Sequence, residues 1–351
     1  MARRTFRPLA ALHQRYRTTS PALGFAAQRR EEWTAWREAL RPELRRLLGL
    51  ESEVRCALEA ETLEVVSAGG LVREKVVFQS TPYASVPAYL LLPTEGPPRR
   101  PAVIALHGHG GGAAEVVGLT ASPHAAQEVR ATDGDYALAL ARRGYVVLAP
   151  EQLGFGERRE PADEAEGWSR SSCRRLAFWA MMLGTTVLGM RVWEVMRCLD
   201  YLATRPEADA TRVACVGHSG GGTVALLAAA LEERIGAAVL SGCLVNYGDG
   251  VLDEPHCECH YVPGLLPLAE LDDVAALIAP RPLLIEAGRS DPVFPAEAVQ
   301  RAQAKLAQVY GLLGADDRLA LELFEGGHRF CSAGAADFLA RWLPPGVSPP
   351  A

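Results

Sequence analysis

The sequence predicts an α/β architecture: a mostly parallel, doubly wound sheet with flanking helices, preceded by a helical segment. Short unbroken apolar runs such as residues 101–106 and 235–240 read as strands buried on both faces. Helix-length stretches separate them, the alternation that builds parallel sheets through crossover helices. Several runs end in glycine-containing loops, and ligands gather at the carboxyl ends of such strands.

In chain order, residues 1–60 form an N-terminal helical extension separate from the sheet, with Trp33, Trp36 and Leu40 on one helical face. That face is expected to pack on the core; covering the pocket or meeting a second subunit of a homo-oligomer is the alternative. A catalytic domain over 61–345 follows, opening with a hairpin at 72–78 and 86–93. The strand at 101–106 leads into His107, Gly108, His109, Gly110, Gly111 and Gly112. Another strand at 144–150 leads to Gly154, Phe155, Gly156 and Glu157, and then Arg158 and Arg159. Residues 169–188 are helix or loop, with Phe178, Trp179, Met181 and Met182 expected in the core and a pocket wall as the alternative. Residues 189–202 fit a crossover helix. A strand at 212–216 enters Gly217, His218, Ser219, Gly220 and Gly221, followed by a small-residue helix. After the strand at 235–240 comes a short lid-like insertion at about 243–277. Strands at 281–288 and 319–324 precede Asp291 and His328, a helix near 335–342 closes the domain, and the Pro-rich tail frays.

The chemistry centres on Ser219. Strand, tight turn and helix with serine at the apex project a hydroxyl into a cleft at the carboxyl end of the sheet. A serine hydroxyl is a weak nucleophile at neutral pH, so it needs a base and an acid that orients the base, in the chain order Ser, Asp/Glu, His. Asp291 and His328 meet that order. Asp291 also suits a helix cap near Pro295, and Asp249, Asp253, Asp272 and Glu286 are its substitutes. Among His13, His107, His109, His124, His218, His256, His260 and His328, only His328 follows the last strand. Backbone N–H groups of His109 (or Gly110) and Gly220 are expected to form the oxyanion hole. The 110–112 glycines lack the lysine of a phosphate-binding loop. His218, His256 and Tyr261 are expected to line the substrate pocket. Arg158 is a candidate for holding a substrate carboxylate, with solvated surface charge as its alternative.

These residues and motifs resemble the α/β-hydrolases, and within them the dienelactone-hydrolase-related and acetyl-xylan-esterase-related group. The dienelactone hydrolases carry cysteine where this chain has Ser219, so the resemblance implies ester hydrolysis through a serine. It further implies short acyl groups, such as acetyl, on carbohydrate-like alcohols. Two alternatives stand beside it: a peptidase resembling the prolyl oligopeptidases, whose relatives carry a propeller that about 60 helical residues cannot build, and a non-catalytic binding protein.

At 351 residues and 49% apolar composition the chain can bury a large core. A net charge of -6 argues against nucleic-acid partners; the partner that the resemblance implies is a small-molecule ester. No apolar run approaches the roughly 18 residues of a membrane span. His13, Gln14, Arg15 and Arg17 interrupt any leader-like core, so a cytoplasmic location is expected. The eight cysteines are scattered and read as free thiols. His256, Cys257, Cys259 and His260 form a dense cluster. A structural zinc site draws ligand pairs from two segments, and no second pair stands out, so the cluster is assigned to the pocket and no metal or cofactor is expected.

Overall fold

The computed structural model describes residues 6–120, 127, 129, 132–166, 170–252 and 256–346. Three residues weighed from sequence, His124, Ser169 and Asp253, and the tail beyond 346 lie outside the described residues. Nine described strands form one sheet: β1 (Glu61–Ala68), β2 (Leu71–Thr81), β3 (Ala84–Pro93), β4 (Arg100–Leu106), β5 (Val146–Pro150), β6 (Ala208–His218), β7 (Ile235–Ser241), β8 (Leu283–Gly288) and β9 (Leu319–Phe324). Their spatial order is β1-β2-β3-β5-β4-β6-β7-β8-β9. Pairing is antiparallel from β1 to β5 and parallel from β5 to β9.

The apolar runs explain which strands are central. β4, β5 and β8 are buried at every position, whereas β1 at the sheet edge is exposed along nearly its whole length. The chain leaves β4 for β5 on one side and returns to β6 on the other, so the strand order reverses at β4. Such a reversal opens a crevice beyond the carboxyl ends of the strands. Register aligns the rim of that crevice, with Leu106 opposite Gly217, His218 opposite Ser241, and Ser241 opposite Glu286.

The longer described helices are α1 (Pro8–Thr18), α2 (Arg30–Leu47), α3 (Tyr136–Arg142), α4 (Cys173–Met182), α5 (Val187–Leu202), α6 (Gly220–Leu231), α7 (Leu271–Ala276), α8 (Ala296–Leu313) and α9 (Ser332–Trp342). The helical extension is not a separate body. Trp33, Leu40 and Leu44 of α2 are buried in the same cluster as Val76, Phe78 and the apolar residues of α6. Trp36 is half-buried and donates to the Leu23 carbonyl at 2.7 Å. Arg37 and Arg41 both reach Glu233, each at 2.6 Å. By contrast α1 buries no residue and is tethered by Tyr16 Oη, which donates to Glu270 Oε1 at 2.6 Å.

The expectation for residues 169–188 is corrected. Phe178, Trp179, Met181 and Met182 are exposed, Trp179 by 69% and Met182 by 81%. The reason is helical phase: Cys173, Leu176, Ala177 and Ala180 form the inward stripe at three- and four-residue spacing, which turns the larger residues outward. No single helix among the described residues is long and apolar enough to cross a membrane. α4 and α5 reach that length only as a pair bent by 96°, and α5 is almost wholly buried in the core.

Candidate active site

Ser219 sits between β6 and α6 at φ +55°, ψ −124°. Few non-glycine residues adopt that backbone, and a chain that stores such strain does so at a functional turn. The glycines on either side are dictated by contact. A Cβ on Gly217 would come within 2.3 Å of the Gly221 carbonyl oxygen, and one on Gly221 within 2.1 Å of the Leu106 carbonyl oxygen. The turn therefore closes, and α6 seats against β4, only with small residues at both places. All of α6 is buried, so Ser219 rides on a fixed helix whose N-terminal dipole favours negative charge nearby.

His328 follows β9 and Asp291 follows β8, which brings them together from neighbouring strand ends. His328 Nδ1 lies 2.8 Å from Asp291 Oδ2. Asp291 Oδ1 accepts from the backbone N–H groups of Val293 at 2.8 Å and Phe294 at 3.0 Å. Burial disfavours the charged carboxylate, but the hydrogen bond from His328 and those from Phe294 and Val293 outweigh it and hold Asp291 below its ordinary range. An ionised carboxylate only accepts, so the proton of His328 resides on Nδ1 and leaves Nε2 free to act as a base. Asp291 does not cap the following helix, whose N-cap is Pro295 with no side-chain cap; its second oxygen instead closes the loop ahead of that helix. Glu286, the nearest rival acid, points away: its Oε2 accepts from the Cys331 N–H at 3.3 Å, and burial pushes it up to about 8.

Ser219 and His328 line one continuous cleft with two sides. The first side is built from the 107–112 loop with Glu115, Tyr136 and Arg329; the second from His256, His260, Pro292, Val293 and Phe294. The 107–112 loop presses on Ser219, since a Cβ on Gly108 would lie 3.1 Å from Ser219 Cβ. A Cβ on Gly220 would likewise lie 3.1 Å from His109 Nδ1, so the His109 side chain lies against Gly220. Among the described residues, no protein acceptor takes a hydrogen bond from the N–H of His109 or of Gly220. His109 keeps exposed surface toward the cleft while its ring packs edge-on against Phe155, 4.9 Å between centroids, and stacks on His260 at 5.4 Å.

The remaining sequence assignments divide. His218 lies against His328, 4.5 Å between ring centroids, and burial with His328 beside it pushes the imidazole down to about 3, so it is a neutral wall behind the base. His256 is in the cleft, packed on Phe294 and His260. Tyr261 is not: its hydroxyl donates to the Val251 carbonyl at 3.1 Å and its ring faces a different cavity beside Phe178. Arg158 is also displaced from the expected role. Its two terminal nitrogens grip Glu194 at 2.6 and 2.7 Å, both side chains nearly buried, which leaves no free guanidinium edge for a substrate. Several lining residues escaped sequence reasoning, Glu115, Tyr136, Phe294 and Arg329 among them. Tyr136 donates to the Leu106 carbonyl at 2.7 Å and stacks on Phe330, and nothing near it in the sequence marks it. His260, placed in the pocket with its cluster by the sequence reading, lines the cleft; it is buried, and that burial together with His109 and His256 pushes it down to about 3.

Residues 3–307 match a family described as "Abhydrolase family". A Bacillus subtilis (strain 168) protein named "Putative hydrolase YtaP" is 31% identical over 320 residues, covering 86% of this chain and 98% of that protein. Among solved structures, one titled a putative acetyl xylan esterase from Bacteroides fragilis superposes with a TM-score of 0.80 at 19% identity, over 92% of this chain and 84% of the other. A glucuronoyl esterase from Solibacter usitatus superposes with a TM-score of 0.65 at 19% identity, over 92% and 96%. At such identities these structures establish a shared fold.

Proposed function

For a chain that belongs to the Abhydrolase family and has the α/β-hydrolase fold, we propose the activity of a serine carboxylic ester hydrolase that forms an acyl-enzyme on Ser219. One observation carries the reading. Ser219 occupies a strained strand-to-helix apex on the same cleft as His328, and the Nδ1 of that histidine is held 2.8 Å from a buried aspartate.

The steps follow from the groups present. His328 Nε2 takes the Ser219 proton as Oγ attacks the ester carbonyl, and Asp291 steadies the imidazolium that forms. The backbone N–H groups of His109 and Gly220 receive the oxyanion. One such donor contributes about 3 kcal/mol to the transition state in comparable sites. The proton on His328 then goes to the departing alcohol, and water activated by the same histidine releases the acid. The two sides of the cleft support a division of the substrate. Pro292, Val293 and Phe294 offer an apolar wall for a short acyl group, while Glu115 and Arg329 on the other side offer hydrogen bonds to a hydroxyl-rich alcohol. Acetyl esters of carbohydrate-like alcohols suit that division, and the structurally similar proteins whose titles name acetyl xylan and glucuronoyl esterases support it.

Hydrolysis of p-nitrophenyl acetate, butyrate and octanoate, of an acetylated xylo-oligosaccharide and of a proline-peptide anilide tests the reading against the Ser219→Ala variant. Turnover of acetate over octanoate that disappears in the variant is the expected outcome. Cleavage of the anilide alone would replace the esterase with a peptidase, and an intact protein that turns over none of them would remove the catalytic reading.

A further inference from the structure

Four soft donors from three distant parts of the chain meet beside the cleft. His109 lies in the loop after β4, Cys173 is the first residue of α4, and Cys257 and Cys259 lie in the connection after β7. Their ligand atoms all fall within 4.8 Å of one another. One pair is closer still, with Cys259 Sγ 3.5 Å from His109 Nε2. A tetrahedral ion with metal–sulfur bonds of about 2.3 Å and a metal–nitrogen bond of about 2.0–2.1 Å requires roughly 3.6 Å between sulfur and nitrogen and roughly 3.8 Å between two sulfurs. The His109–Cys259 distance matches that spacing, and the other donor pairs lie within 4.8 Å.

Charge supplies an independent observation. Arg191 of α5 is 2% exposed and pairs with no carboxylate among the described residues. Its Nη2 lies 3.3 Å from Cys173 Sγ and donates to the Leu153 carbonyl at 2.5 Å, and its guanidinium lies over the Phe155 ring at 5.1 Å. A buried guanidinium without a counter-charge is costly, which favours an anionic group in this corner of the protein. Three thiolates and a neutral imidazole around a divalent cation carry one negative charge, which Arg191 cancels. The same three thiolates without a cation would carry three.

We propose that His109, Cys173, Cys257 and Cys259 form a structural site for a thiophilic divalent cation, zinc by its donor set. Three thiolates and one imidazole leave no open position, which marks the ion as structural. Arg191 is the outer partner that donates to a ligating thiolate. The ion would tie the loop bearing the His109 N–H to α4 and to the 256–261 wall of the cleft. The site stands or falls independently of ester hydrolysis, because its occupancy is measured as metal.

The test uses the full chain, expressed with zinc and purified without chelator or metal-affinity tag, with metal content determined by inductively coupled plasma mass spectrometry. About one zinc per chain is expected, with the closed four-ligand stoichiometry of such sites. Cys257→Ser, at a half-buried position where folding should survive, should lose most of it, whereas Cys331→Ser outside the cluster should retain it. Cobalt added to the zinc-stripped wild-type chain should give the intense absorption of tetrahedral cobalt–thiolate coordination, absent in Cys257→Ser. A folded wild-type chain that binds neither zinc nor cobalt overturns the site. So does a metal content unchanged by Cys257→Ser, or a disulfide among these cysteines in place of metal.

Discussion

At the residue scale, the turn around Ser219 admits almost no substitution. Replacing Gly221 with Ala would drive a methyl group into the Leu106 carbonyl, so the variant should lose several kcal/mol of stability, measured by urea denaturation. Asp291→Asn tests the orienting carboxylate. Asparagine can still accept from Val293 and Phe294, but its amide would then face His328 and favour the tautomer protonated on Nε2. The expected result is a fall in kcat of about 10³–10⁴-fold with little change in stability. Glu286 gives a pH signature. Folded Glu286 keeps its proton up to about pH 8 while the unfolded chain releases it near 4.5, so through that window the folded state binds more protons and stability falls as pH rises. The slope is at most about 1.4 kcal/mol per pH unit. Denaturation at pH 5 and pH 8 should show that loss in the wild type and much less of it in Glu286→Gln. The strand ends that carry Ser219, Asp291 and His328 were legible because each follows a recognisable apolar run in a fixed order. The role of Arg158 was not, because its partner Glu194 lies on a helix 36 residues away and only packing joins them.

At the element scale, periodicity located the strands and most helices but did not say which way a helix would turn. The apolar face of α2 was visible in Trp33, Trp36 and Leu40, and its burial makes α2 part of the core rather than an appendage. Leu44→Ala should therefore cost about 2–5 kcal/mol by chemical denaturation. Leu12→Ala on the exposed helix α1 should change stability by no more than about 0.5 kcal/mol. The phase of α4 was misjudged because its outward positions carry the bulkiest apolar residues, while its inward stripe is made of Cys173, Leu176, Ala177 and Ala180. Residue size pointed one way and helical geometry the other. The same stripe delivers Cys173 to Cys257, Cys259 and His109, a meeting that spacing along the chain could not reveal.

At the scale of the whole molecule, the strand order reverses at β4, and the loops that end β4, β6, β8 and β9 supply the 107–112 segment, Ser219, Asp291 and His328 to one crevice. The sequence carried the parallel sheet and the order Ser219, Asp291, His328, because buried strands write themselves as apolar runs and the turn at Ser219 needs its glycines. It did not carry the two-sided shape of the cleft, which arises from Tyr136, His260 and Phe294 arriving from unconnected segments. The central claim is that Ser219 is the nucleophile, activated by His328. Labelling the native chain with a fluorophosphonate and mapping the adduct by peptide mass spectrometry tests it most directly. Covalent modification of Ser219 that follows the loss of esterase activity and fails in His328→Ala is the predicted result. Esterase activity that survives in Ser219→Ala, or an adduct on a different serine, would contradict it.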